Sequence, residues 1–300
     1  MNRSHLLRVL RTGPVLGAAV LLVLMACTGS RSASAPVPDR PSHAKDERVL
    51  QQEETLRPGL IARRIAPGTW VVTHVEAHSS NVLVARMADG TVLLASSPFD
   101  ADAARVMVDW IRERWAPERM VAINTHWHLD GTAGNAAYRD AGADIYASTL
   151  TQALSLERGP SMREDAGDGL SASVNARVRA TPVVPANHTF EPSEGLTLTL
   201  GGEPVKVVFP GHAHSRDNVV VWLPDRGVLF GGCMLKLGNS LGNLGDASVP
   251  DWSEALLPLE AMAPSIVIPG HGPTGGPEII ANTQRLVREA LAGHPDALAE

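Results

Sequence analysis

Asn124-Thr125-His126-Trp127-His128-Leu129-Asp130-Gly131 follows directly on a short apolar run, residues 120–123. The run reads as a buried strand, and the octet as the loop leaving its carboxyl end. Alternate side chains of an extended chain share a face, so His126 and His128 point one way and Asp130 continues the spacing. Gly131 then permits a tight turn into the next helix. Two imidazoles and a carboxylate converging just past a strand end make a metal-binding pattern.

Three more loops of the same kind lie downstream. Gly211-His212-Ala213-His214-Ser215 follows a strand at 205–209, Gly231-Gly232-Cys233 follows one at 227–230, and Pro269-Gly270-His271-Gly272 follows one at 265–268. Ligand sites of α/β proteins gather at the carboxyl ends of strands. A single buried His or Cys is usually an ordinary core residue. Four strand-end loops, each carrying a zinc-type donor, point to a metal centre instead.

The rest of the chain supplies the frame. Residues 61–65, 70–75, 81–86 and 91–95 are short β-prone runs, with Asp89-Gly90 as a hairpin turn between the last two. Residues 101–115 read as an amphipathic helix with Val106, Trp110 and Ile111 on one face. The second half repeats the theme, with strands at 205–209, 218–223, 227–230 and 265–268 and helices at 252–262 and 278–291. Residues 150–156 look helical, and Gly159-Pro160 and the glycines at 167 and 169 then interrupt the pattern, which predicts broken helices. Strands followed by helices in both halves predict an α/β layered domain.

Composition and the amino terminus bound the setting. The 300 residues carry 32 acidic and 26 basic side chains, a net charge of −6, which argues against nucleic acid as a partner. Residues 1–26 read as an export signal, with Arg3, Arg8 and Arg11 ahead of an apolar stretch at 15–25 too short to span a membrane. Leu24-Met25-Ala26-Cys27 resembles the bacterial lipobox, which implies cleavage before Cys27, acylation of its thiol and a lipid anchor in a membrane. Thr28 follows, and the resemblance then implies the periplasmic side of the outer membrane. Residues 27–50 read as the acylated cysteine and a flexible tether, and 51–300 as the catalytic domain. The chain has two cysteines. If Cys27 carries lipid, Cys233 has no partner in its own chain, and metal ligation is the leading account of its thiol.

The His-x-His-x-Asp octet and the later His, Cys and His loops resemble the metallo-β-lactamase superfamily, over roughly residues 57–290. Cys233 makes the chain similar to the class B enzymes of the first subclass, whose second zinc site is Asp/Cys/His. The resemblance implies an αβ/βα four-layer sandwich: two facing mixed β-sheets with helices outside and two zinc ions at one edge. It implies His126, His128 and His214 as ligands of the first zinc and Asp130, Cys233 and His271 as ligands of the second. His212 falls at a variable position of the family and reads as a neighbour. Other branches of the superfamily place a second His after the Asp and an Asp where Cys233 stands. Here Gly131 follows Asp130 and cannot bind metal. Gly131 also departs from the Arg, Cys or Ser common in the subclass, and Ser96-Ser97 stand in a stretch where many relatives have an Asp.

The implied reaction is hydrolysis of the β-lactam amide of penicillins, cephalosporins and carbapenems by a metal-bound hydroxide, a route to antibiotic resistance. Asp130 and Asn243 are the implied catalytic residues. Lys236 would bind the substrate carboxylate, and Asn243 would assist the oxyanion, with Asn239 its nearby competitor. His78 and Trp70 are candidates for the cleft wall. A small-molecule substrate and a monomer are the expected partner and state. Two rivals remain: a di-zinc hydrolase of another ester or thioester, and a zinc-binding envelope lipoprotein without catalysis.

Overall fold

Apolar strand residues alternate between two different cores, and that alternation builds the layers. In the computed structural model, which describes residues 52–165 and 170–298, eight strands form the first sheet in chain order. They are β1 (Glu53–Arg57), β2 (Leu60–Ala66), β3 (Thr69–His74), β4 (Ser80–Arg86), β5 (Val92–Ala95), β6 (Met120–Ile123), β7 (Asp144–Ser148) and β8 (His188–Phe190). β1 to β5 pair antiparallel and β5 to β8 parallel. The second sheet has the order β13 (Ile266–Pro269), β12 (Val228–Gly232), β11 (Val220–Leu223), β10 (Glu203–Val208), β9 (Leu196–Leu200), with only β12 and β13 parallel. Both sheets are therefore mixed. The export signal, Cys27, the tether and the glycines at 167 and 169 lie outside the described residues.

Val71, Leu83, Leu93, Val121 and Ile123 of the first sheet meet Val207, Val221, Val228, Phe230 and Ile268 of the second, forming the core between the sheets. Trp70, Val72, Val84, Leu94 and Ala122 face the other way, onto α1 (Ala101–Trp115) and α3 (Asn135–Asp140). Val220, Leu229 and Val267 face outward onto α6 (Val249–Ala261) and α7 (Glu278–Leu291). Sheets covered on both faces need nearly continuous apolar strands, and these strands are of that kind. The result is the four-layer αβ/βα sandwich.

The carboxyl ends of β6, β12 and β13 open at one edge, and hydrogen bonds sew the two sheets together there. Asn81 donates from Nδ2 to the carbonyls of Pro269, at 2.9 Å, and Gly272, at 2.7 Å. Its amide N–H donates to the Gly270 carbonyl, and Val219 donates to the Thr125 carbonyl, each at 2.8 Å.

Two local expectations change. α4 (Thr149–Asp165) runs unbroken through Gly159-Pro160, where breaks were predicted. The buried guanidinium of Arg163 donates to the carbonyls of Gly159 and Thr181, which ties the helix together across its proline. After Asp165 the chain resumes as α5 (Ala172–Ala180), capped by the Ser171 hydroxyl. Trp70 does not wall a cleft. It is 2% exposed and packs edge-on to Trp110, with Arg114 over its face.

Candidate metal centre

The octet does not stay extended. The chain bends over 126–128 and enters a helical turn, α2 (Leu129–Thr132), with His128 at its amino end. Asp130 is therefore brought back beneath His126, its Oδ1 3.3 Å from His126 Nε2, rather than projecting two residues further along a strand. The turn is pinned by Asn124, which donates to the Gly131 carbonyl at 2.8 Å, and by Ser96, which donates to the Asp130 carbonyl at 2.6 Å. Ser97 N–H also donates to that carbonyl, at 2.7 Å. The serines hold the backbone of Asp130 where the resemblance had suggested a carboxylate.

The six donor residues come together as two groups. His126, His128 and His214 offer ring nitrogens within 4.8 Å of one another. His214 Nε2 and His128 Nδ1 are 3.2 Å apart. In the other group Cys233 Sγ lies 2.8 Å from Asp130 Oδ2 and 3.3 Å from His271 Nε2, which is itself 3.3 Å from Asp130 Oδ2. Ligands on a tetrahedral zinc sit about 3.4 Å apart, given bonds of about 2.0–2.3 Å. Most of these separations approach that edge. His126 Nε2 is buried without a hydrogen-bond partner, an orphan that a cation would satisfy. Imidazole, carboxylate and thiolate together suit zinc. The residues fit the ion.

The protonation states fit as well. Burial holds His128 and His214 below the ordinary imidazole pKa, hence neutral with lone pairs free. Burial also lowers His126 and His271, but the negative charges of Asp130 and Cys233 outweigh it. His126 is raised well above its usual value, and His271 to about 10. Burial pushes Asp130 up, and the two imidazoles pull it well below the carboxylate range. Burial and Asp130 likewise raise the Cys233 thiol, and His271 and His126 more than offset them. Without a cation, the centre neutralises its own anions with protons on His126 and His271. Zinc uptake at neutral pH must expel those protons, so apparent affinity rises with pH until His271 has titrated. Calorimetric titration in two buffers of different ionisation enthalpy is expected to show net proton release on zinc uptake. Uptake without proton release would contradict this charge balance.

A family model of the metallo-beta-lactamase superfamily matches residues 120–271. The chain belongs to the metallo-β-lactamase superfamily. The metallo-β-lactamase type 2 of Bacteroides fragilis is 32% identical over 202 residues, covering 66% of this chain and 71% of that protein. The type 2 enzyme of Bacillus sp. (strain 170) is 29% identical over 254 residues, 81% of this chain and 88% of its own. The crystal structure of the metallo-β-lactamase from Hirschia baltica superposes with a TM-score of 0.63 at 28% identity, covering 76% of this chain and 97% of that one. Membership implies zinc, and the four loops that carry the candidate donors of this metallo-β-lactamase homologue come together.

The remaining sequence candidates fall around that edge. Lys236 is half-buried three residues past Cys233, and its ammonium makes no ion pair among the described residues. Burial lowers its pKa, against the pull of Cys233 and Asp130. Asn243 is exposed, its Oδ1 accepting from Gly245 N–H at 2.8 Å. Asn239 is exposed on the same stretch. His78 touches the site through its backbone, its carbonyl 2.9 Å from His271 Nδ1. His212 is no donor to either triad. Its Nε2 meets the Asp246 carbonyl at 2.7 Å. Asp246 is a further candidate that no motif in the sequence flags: its Oδ2 lies 2.9 Å from His128 Nε2. A carboxylate on the far nitrogen of a ligand imidazole fixes its tautomer and raises its basicity. The only sequence hint was an acid three residues past Asn243.

Proposed function

We propose that the chain is a zinc-dependent β-lactamase of the first class B subclass. It holds two zinc ions and opens the β-lactam amide of penicillins, cephalosporins and carbapenems. The resemblance of residues 79–85, 124–135 and 231–236 to the São Paulo metallo-β-lactamase supports this reading. One observation carries the reading: two candidate donor groups adjoin, with His126 within reach of both, and Lys236, which makes no ion pair among the described residues, stands beside Cys233 and Asp130. Zinc bound there would make a hydroxide nucleophile available at neutral pH and polarise the carbonyl under attack.

The chain's own residues then divide the work. Asp130 faces His126 and Cys233 with an ionised carboxylate, and with zinc bound it would hold the nucleophile by accepting its hydrogen bond. Lys236 receives the substrate carboxylate, a charge-assisted contact of about 1.5–3 kcal/mol. Asn243 has its Oδ1 occupied by Gly245, which leaves Nδ2 as the donor for negative charge developing on the lactam oxygen. The purified domain is expected to hydrolyse a penicillin, a cephalosporin and a carbapenem, and to lose all three activities to a chelator. Zinc-loaded protein that turns over none of them would sink this reading and leave the ester or thioester hydrolase in its place.

For the amino terminus, we propose that Cys27 is acylated and anchors the domain on the periplasmic side of the outer membrane. Mass spectrometry of the mature protein is expected to find the lipid on Cys27. An unmodified mature amino terminus would remove the anchor.

A further inference from the structure

Asp246 is held at three points, and only two of them belong to the octet or its neighbours. Its carbonyl meets His212, and its Oδ2 meets His128. The third is Arg158, a residue of α4, whose guanidinium donates to Asp246 Oδ1. The same guanidinium lies 4.4 Å from the centroid of the Trp127 ring, and Trp127, between two candidate ligands, is 2% exposed. Arg158 therefore touches the octet twice: directly on Trp127 and through Asp246 on His128. No other cation pairs with Asp246 among the described residues except the imidazole of His128 itself.

We propose that Arg158 is a positioning residue for the first triad: it fixes the rotation of the Asp246 side chain and so the orientation of the carboxylate that holds the His128 ring. A guanidinium carries donors only, so the oxygen it binds must be an acceptor. With Oδ1 committed to Arg158, Oδ2 is the atom turned toward His128 Nε2. An acceptor there keeps the ring proton on Nε2. That leaves the Nδ1 lone pair facing His214 Nε2, 3.2 Å away, where the first triad converges. The stacked indole makes the guanidinium a fixed plane rather than a mobile charge. The plain alternative is that Arg158 merely docks α4 on Trp127.

The two accounts part when Asp246 becomes an amide. With Arg158 present, Asp246→Asn must offer its oxygen to the guanidinium and its N–H to His128, which moves the ring proton onto Nδ1 and blocks the lone pair. With Arg158→Ala added, the amide is free to turn its oxygen back toward His128. Zinc affinity of the first site, by chelator competition, is expected to fall about 100-fold in Asp246→Asn and about 10-fold in Arg158→Ala. The double variant is expected to bind about tenfold more tightly than Asp246→Asn alone, a coupling read from the full cycle. Nitrogen-15 spectra of the zinc-free proteins should place the His128 proton on Nε2 in the unaltered chain, on Nδ1 in Asp246→Asn, and on both in the double variant. Strictly additive losses would overturn the proposal, as would a His128 tautomer that Asp246→Asn leaves alone. A general folding defect cannot mimic the result, because a second lesion would not repair it. The proposal rests on the metal reading of the centre and not on its substrate. A chain that binds no zinc refutes both, whereas zinc binding without lactam turnover fails only the substrate assignment.

Discussion

Cys233→Ser is expected to take the chain from two bound zinc ions toward one and to cut hydrolysis more than about 100-fold, beyond what losing an outer-sphere partner does. The thiol is the one soft donor of the second group, 2.8 Å from Asp130 and 3.3 Å from His271. A serine hydroxyl keeps the volume and a hydrogen bond but stays protonated at neutral pH, so the site loses a full negative charge. The loss reaches His271 too, whose rise to about 10 leans first on the Cys233 anion once burial has been overcome. The serine variant is therefore expected to show a lower His271 pKa in its zinc-free form. Metal analysis after dialysis reads the stoichiometry directly. Two zinc ions retained by Cys233→Ser would remove Cys233 from the donor set.

Gly131→Ala is the second large effect, and it runs against family habit. The family resemblance implies Arg, Cys or Ser at this position, so adding a side chain ought to be harmless. In this chain a Cβ at residue 131 would lie 2.0 Å from the His126 carbonyl oxygen and 3.0 Å from His126 Nδ1. Backbone cannot swing aside as a side chain can. Gly131 is also held on both flanks, its N–H on the His128 carbonyl at 3.0 Å and its own carbonyl on Asn124. The strain must go into the turn carrying His126 and Asp130, one residue from each zinc group. Overpacking of this kind costs about 1–3 kcal/mol, several degrees of melting temperature at this size. Both zinc sites are expected to weaken together, unlike the selective loss in Cys233→Ser. An alanine variant with unchanged melting temperature and zinc content would show that the turn has slack.

What could be read from the sequence follows from where the forces are local. α1 and α7 were expected at 101–115 and 278–291, and both bounds match, because amphipathic helices declare their period. The six candidate donors stand out in the sequence because each sits in a glycine-bearing loop after an apolar run, and the fold brings those loops together. The path of the octet does not stand out, since its bend depends on Ser96, Ser97 and Asn124 gripping the backbone from elsewhere. β7 and β8 were missed for a related reason. β8 has three residues and no alternation of its own, and it exists by pairing with β7. α4 was misread as broken because the residue that mends its proline, Arg163, acts through a carbonyl of α4 and one beyond α5. Trp70 was misplaced because an indole near a hairpin looks like a cleft wall until Trp110 is set beside it.

The Asn81 stitch also imposes an order of events on folding. Its amide reaches Pro269, 188 residues further along the chain. Such a pairing cannot form until β13 has been synthesised and docked, and non-local β pairings are the slow ones. The first triad draws its donors from residues up to 214 and its outer partner from Asp246, whereas the second waits for His271 and for the strand that delivers it. Occupancy of the second group is thus a chemical receipt that the last strand of the sandwich has docked.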